Sequence, residues 1–448
     1  MTRSSIGLKT TLRKIILNLN RIIISMIKRK ILSLSPLLAI YIVIIVLLNN
    51  PLEGDELRYM AYAENLTQGF YTSPDNPDLS NGPGYPLVLL PFVALDVNLM
   101  IPNIINGIFV FLGILFFYKS LRLYLKPKIA LISSYVLGLY PPLLHFMPDL
   151  LSESLSFFLI NGFIFHFCSF HLKKNNPKNG VLASLFLGFL VLTKVIFFHV
   201  VVVSMTMLVL MSVFKKSQRP KWSLLILTVG ILFTTPFLVY AYKVTNKPFY
   251  LGTRGGELLY HRSTPFENEY GNWFSADRIL GVRFEGDSEE YQRLEKLRLN
   301  HGEFYQRLQP LSNMERDSAL KVKAIENMKK YPIKYLKNTM ASTGRLFFNI
   351  PNSYKNQGLQ TYGYLIPNGI ILVFLVLIAR TAILERSRIP FEIKSVVIFV
   401  LIYGFGIILL LGKPRYFIMM VPGLILFLVY SYSKLLKINL LKKEKKSV

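Results

Sequence analysis

Long apolar stretches alternate with short basic ones along most of this chain. Apolar runs lie near 31–48, 101–118, 129–147, 153–171, 180–193, 195–214, 222–242, 363–380, 393–411 and 416–433. Each approaches the ~20 residues a helix needs to cross a bilayer, the run at 180–193 being short. The pattern predicts an all-α polytopic membrane protein with about ten transmembrane helices. The basic residues fall between the runs: Lys119, Arg122, Lys126 and Lys128; Lys173, Lys174 and Lys178; Lys215, Lys216, Arg219 and Lys221; Arg380, Arg386 and Arg388; and the tail from Lys434. Counted alternately from a first span whose start carries Arg29 and Lys30, every cluster lands on the cytoplasmic side.

This topology divides the chain. Residues 1–30 place Lys14, Asn18, Arg21, Ser25 and Lys28 opposite Ile15, Leu19, Ile22 and Ile23, a basic amphipathic helix for the cytoplasmic membrane face. Residues 31–242 are expected to form an N-terminal transmembrane module with a first outer loop at 49–100, whose interfacial helices include one from Asp55. An outer (periplasmic or extracellular) segment follows at 243–361, then three C-terminal transmembrane helices at 362–433 and a basic cytoplasmic tail at 434–448. The protein is expected in the plasma (inner) membrane with both termini cytoplasmic. The first run ends in Asn49-Asn50-Pro51 rather than a small-residue cleavage site, so it is expected to stay as an anchor. Residues 314–330 read as an amphipathic helix ended by Tyr331-Pro332, expected to lie along the membrane surface.

Composition agrees with a lipid environment: 52% of residues are hydrophobic and 17% charged. The net charge of +27 would suit nucleic acid if the bases formed one surface, but they are confined to short loops. The expected partners are therefore membrane lipids, with no nucleic acid. The single cysteine, Cys168, excludes an intrachain disulfide and any two-thiolate metal site.

Candidate chemistry collects at the outer ends of the spans. The first outer loop carries Glu53, Asp55, Glu56, Glu64, Asp75, Asp78 and Asp96 against Arg58 as its only base. Asp55 reads either as a helix-start acid or as a catalytic base, and helical spacing puts it on one face with Arg58, Tyr59 and Tyr62. Asp149 and Glu153, four apart before the fourth span, point the same way if the helix has begun by Asp149. Lys194 interrupts an apolar run of more than thirty residues, and Arg415 with Tyr416 precedes the last span. Each cation has the alternative reading of an interface anchor. Ionisable groups at membrane depth usually pair or serve a function. His145, His166, His171 and His199 lack metal-ligand spacing and read as packing or interface residues. Asn65-Leu66-Thr67 fits a glycosylation sequon, which matters only in a eukaryotic secretory pathway.

In order along the chain, Asp55-Glu56-Leu57-Arg58-Tyr59, Gly82-Pro83-Gly84-Tyr85-Pro86-Leu87, Glu153, Gly188 to Lys194, Tyr331 to Leu336 and Pro414-Arg415-Tyr416 resemble the GT-C superfamily of lipid-dependent membrane glycosyltransferases. The resemblance is specifically to the dolichyl-phosphate-mannose protein mannosyltransferase and aminoarabinose transferase-like group, that is, glycosyltransferase family 39. It implies a polyprenyl-phosphate-linked sugar as donor, transfer on the outer face with inversion, and a lipid, glycan or protein acceptor. It makes Asp55 the base with Glu56 second, and Lys194, Arg415 and Tyr416 the donor phosphate site. Asp149 and Glu153 become the acceptor-side or second carboxylates, and Arg58, Tyr59 and Tyr85 a wall for the sugar. No cofactor is required by this reading, although the two carboxylate groups would suit a divalent cation such as Mg or Mn. Two other readings stay open. Arg254, His261 and Arg262 in the outer segment suit an oligosaccharide polymerase or ligase with a lipid-diphosphate donor. A transporter or lipid flippase would instead show internal repeats and mid-membrane charges, and neither is evident.

Overall fold

The computed structural model describes residues 32–48, 51–173, 175–214, 218–280, 288–353, 358 and 360–436. The amphipathic helix expected at 1–30 and the tail beyond 436 lie outside them. The described residues form helices and connecting loops without a β-strand. In chain order they are α1 (Ser35–Leu47), α2 (Asp55–Thr67), α3 (Gly84–Ala94), α4 (Met100–Arg122), α5 (Pro127–Gly138), α6 (Pro141–Phe146) and α7 (Glu153–Leu172). Then come α8 (Pro177–Thr193), α9 (Ile196–Phe214), α10 (Arg219–Leu232), α11 (Thr235–Thr245), α12 (Gly255–Arg262), α13 (Ala276–Ile279) and α14 (Ser288–Leu308). The chain continues through α15 (Asn313–Lys330), α16 (Pro332–Phe348), α17 (Gln360–Leu384), α18 (Phe391–Leu410), α19 (Pro414–Phe417) and α20 (Val421–Ser431).

Every predicted span is helical, but not every one is a single long helix. Among the described residues five helices are long and apolar enough to cross a membrane: α4, α7, α9, α17 and α18. The pair α10–α11 makes a sixth if its 46° bend is one broken span. The predicted span 129–147 divides at Tyr140, where Pro141 starts a second helix, and 222–242 bends just before Thr235-Pro236. The cause is shared. Proline lacks a backbone donor and fits the first helical turn, so Pro127, Pro141, Pro177, Pro236, Pro332 and Pro414 each start a helix rather than continue one.

The most enclosed of the long apolar helices is α7, packed between α4 and α8, and it carries Glu153 as its first residue. Its neighbour α8 ends at Thr193, and the Gly82-Pro83-Gly84 step lies directly against that end. A Cβ on Gly82 would strike the Leu192 carbonyl oxygen, and one on Gly84 would strike the Thr193 hydroxyl. The glycines are therefore there for close approach, and they fix the first outer loop beside Lys194.

The segment 243–361 has its own apolar cluster, in which Tyr260, Phe274, Leu294, Leu297, Tyr305 and Leu320 pack together. Helix α15 is the one expected along the membrane. It starts with a capping box between Ser312 and Glu315, and it buries Leu320 and Ala324 in this cluster. Its buried side packs against α12.

Replacing Gly84 with Ala is expected to lower the thermal unfolding midpoint in detergent, costing about 1–3 kcal/mol from overpacking. Gly363→Ala, where nothing lies within 4 Å of the added carbon, is the control expected to show no loss.

Candidate functional site

Five separate parts of the chain meet around the start of α2. Asp55, the first helical residue, bonds Arg58 one turn on through Oδ1 and accepts from Arg415 Nη2 at 2.6 Å through Oδ2. Arg254 lies 4.0 Å from Oδ1. The same Arg415 reaches Glu153 with Nε at 3.5 Å, and Glu153 accepts from Lys194 Nζ at 2.9 Å. Tyr416 closes the group: its hydroxyl lies 3.2 Å from Arg415 Nη2, and Lys194 Nζ sits 5.4 Å from its ring centre. Asp55, Arg58, Glu153, Lys194, Arg415 and Tyr416 thus form one continuous network.

The capping reading of Asp55 separates from the ion-pair reading here. Gly54 holds the cap position without a side-chain bond, and the Asp55 carboxylate points to arginines. The reach-back belongs to Glu56, whose Oε2 accepts from Glu53 N at 2.9 Å while Oε1 accepts from Leu150 N at 2.7 Å. Glu56 therefore staples α2 to the turn before α7, satisfying two main-chain donors. Asp149 lies in that turn, where Leu151 N bonds its carbonyl, and α7 begins only at Glu153. The shared helical face expected for Asp149 and Glu153 does not form. Asp149 joins the site through its main chain, its carbonyl accepting from Asn106 Nδ2 at 2.8 Å.

Behind the ion pairs stands a hydrogen-bonded wall. Arg58 Nε donates to Asn81 Oδ1 at 2.8 Å, Asn81 Nδ2 donates to the Tyr59 hydroxyl at 3.0 Å, and Tyr59 donates to Ser152 Oγ at 2.9 Å. Tyr85 packs edge-on to Tyr59 and donates to Asn106 at 3.1 Å. The wall explains why the Asp55, Gly82 and Glu153 motifs lie together. The residue of this wall not foreseen is Asn106, an amide inside an apolar helix whose partners, Tyr85 and the Asp149 carbonyl, are distant in the chain.

A cavity of about 770 Å³ opens beside this group. Its wall includes Gly54, Trp273, Asn272, Arg345, Lys413 and Arg415, with His145 at its edge. Trp273 has Lys413 Nζ 4.7 Å and the Arg254 guanidinium 5.7 Å from its ring centre. Of the outer-segment residues singled out in the sequence, Arg254 joins the site. Arg262 and His261 are buried elsewhere, Arg262 on the Asn338 carbonyl and His261 against the Tyr305 hydroxyl. Among the described residues no three His, Cys, Asp or Glu side chains converge as a metal cage.

Electrostatics set the state of Asp55. Burial alone would push its carboxyl up, but Arg415 and then Arg58 hold it well below the usual carboxylate range. A carboxylate depressed in the folded state stabilises the fold above its unfolded value of about 3.9. That contribution fades as pH falls through the folded value.

No protein-family model matches the sequence, and no curated sequence matches it either. The solved structures that resemble the chain include these two. One is the archaeal oligosaccharyltransferase AglB from Archaeoglobus fulgidus in complex with an inhibitory peptide and a dolichol-phosphate, at 14% identity and a TM-score of 0.49, covering 93% of this chain and 52% of that one. This chain spans about half the length of that protein. The other is ArnT from Cupriavidus metallidurans bound to undecaprenyl phosphate, at 13% identity and a TM-score of 0.40, covering 89% and 77% respectively.

Glu56→Ala is expected to destabilise the protein by about 1–3 kcal/mol, because two main-chain donors lose their acceptor. A thermal midpoint in detergent equal to that of the wild type would contradict the staple.

Proposed function

We propose that this chain is a membrane glycosyltransferase that moves a sugar from a polyprenyl-phosphate-linked donor to an acceptor hydroxyl, inverting the sugar carbon, at the outer face of the plasma membrane. The supporting observation is Arg415, one guanidinium within reach of both Asp55 and Glu153, with Lys194 on the other side of Glu153. A displacement at an anomeric carbon needs a proton acceptor on one side and cations for the departing phosphate on the other. In the proposed step the acceptor oxygen bonds to the anomeric carbon as the bond from that carbon to the phosphate oxygen breaks. The bonding electrons leave with polyprenyl phosphate, and the hydroxyl proton passes to Asp55. Arg415 and Lys194 neutralise the charge developing on phosphate.

The pairing of Asp55 serves this role in a specific way. It keeps the carboxylate ionised and aimed at neutral pH, and its low basicity makes proton transfer late, after bond formation to the sugar is advanced. Glu153 holds the two phosphate cations until the donor replaces it. The cavity beside Arg415, with its amides and tryptophan, is the proposed place for the acceptor, a lipid, glycan or protein hydroxyl. A lipid-diphosphate donor is the second reading, favoured by Arg254 beside Asp55 and stacked with Lys413 on Trp273, since these add cations for a larger leaving group.

Purified protein in liposomes with radiolabelled polyprenyl-phosphate sugars is expected to transfer label to an acceptor lipid or glycan extract. Asp55→Asn is expected to reduce the rate roughly 100- to 10,000-fold, the usual range for loss of a positioned base. Full activity in that variant would sink the base assignment, and transfer only from diphosphate-linked sugars would favour the second reading. Arg58→Gln removes one of the cations depressing Asp55, so the acidic limb of the kcat/KM profile is expected to move to higher pH with the neutral plateau retained. An unmoved limb would assign the titration to another group.

A further inference from the structure

Helix α16 is inside out. At 100° per residue Ile333, Leu336 and Met340 fall within roughly 60° of one another, with Asn338, Ser342 and Arg345 on the opposite side. In a water-facing domain the first set would be buried and the second exposed. The reverse holds: Ile333 is 72%, Leu336 61% and Met340 68% exposed, whereas Asn338 is 1%, Ser342 0% and Arg345 3% exposed. Such an apolar face calls for a cover of matching chemistry.

Two features identify the cover as lipid. The C-terminal end of α16 is bonded to a membrane-crossing helix, the Phe347 carbonyl accepting from Asn368 of α17 at 2.5 Å. The helix is thereby anchored at membrane level. Its N-terminal approach carries Lys329, Lys330, Tyr331 and Lys337, with Lys330 Nζ 5.4 Å from the Tyr331 ring centre. Lysines and a tyrosine flanking an apolar stripe match the boundary between headgroups and acyl chains, and the cations match anionic headgroups.

The buried side of α16 leads to the site. Ser342 Oγ accepts from Gly412 N at 3.0 Å and from Arg262 Nη2 at 2.5 Å. Arg262, with no exposed surface, also donates to the Asn338 carbonyl at 2.8 Å and the Leu410 carbonyl at 3.3 Å. Gly412 lies so close to α16 that a Cβ there would strike the Ser342 carbonyl oxygen. Three residues on is Arg415.

We propose that α16 is seated in the lipid, at the headgroup–acyl boundary of the leaflet on the site's side, and that through Ser342 and Arg262 it sets the position of the Leu411–Arg415 turn relative to the membrane. The second clause rests on the proposed role of Arg415 in holding the donor phosphate. In this arrangement Ser342 is a positioning residue, acting on the turn without touching substrate.

The test uses the full chain with Cys168→Ser, reconstituted in vesicles of phosphatidylethanolamine and phosphatidylglycerol. Single nitroxide labels are attached to Ile333→Cys, Leu336→Cys and Met340→Cys, with exposed Lys323→Cys as the aqueous control. Seating in lipid is expected to make collisions with oxygen exceed those with a water-soluble nickel chelate at the three α16 positions, and the order to reverse at 323. Nickel collisions equal to or above oxygen collisions at all three would overturn seating by placing the face in water. Low collision rates with both would overturn it by placing a protein there. These readings make no use of sugar transfer, so they stand even if the glycosyltransferase reading fails. For the coupling, Ser342→Ala is expected to raise KM for the donor lipid several-fold with a smaller change in kcat, and Ser342→Thr, which keeps the acceptor oxygen, to restore it. An unchanged KM in an Ala variant with the wild-type labelling pattern would overturn the coupling.

Discussion

The site depends on one guanidinium placed between two carboxylates. Arg415 meets Asp55 at 2.6 Å and Glu153 at 3.5 Å, and Lys194 holds Glu153 from the other side. Each acid alone at this depth would be costly, and each cation alone would be drawn to the interface. Together with Arg58 they form a cluster with one more cation than acid, which tolerates burial because every member has an opposite neighbour. Much of the surrounding fold follows from that requirement. Glu153 must head the most enclosed helix, Lys194 must follow the end of α8, and the glycines at 82 and 84 must let the first outer loop come close enough for Asp55 to reach across.

The cluster is polarised rather than uniform. Asp55 is held by arginines, whose planar groups fix its orientation, whereas Glu153 is held chiefly by a lysine, which adapts more readily to a new partner. An incoming phosphate competes more easily for the lysine than for the arginine pair on Asp55. Under the proposed mechanism the base stays aimed while the cations exchange partners. Tyr416 sits under both cations and limits how far they can move during that exchange.

The helical class and the residues of the ion-pair network were legible in the sequence, because period and charge placement are local properties. Asp55, Glu153, Lys194 and Arg415 stood out as charges beside apolar runs, and the structure brings all four together. What was not legible depended on distant partners. Nothing near Glu56 announced that it would bind the Leu150 amide, so it read as a second base when it is placed as a staple. Asp149 and Glu153 have helical spacing, but the helix begins at 153 because the preceding turn is tied to Glu56 and Asn106. Proline decided where predicted spans broke, and packing against the Tyr260 and Phe274 cluster takes up the Leu320 and Ala324 side of α15.

The bond between Asp55 and Arg415 joins residues 360 positions apart in the chain. At translation rates of roughly 5–20 residues per second, Asp55 is made on the order of 20–70 seconds before the arginine that fixes it. Every intervening helix must be placed before the two can meet. The ion-pair cluster therefore cannot close before Arg415 is made, and a chain stalled earlier has the proposed base without the cation that aims it. Competence is in this sense a readout of finished assembly.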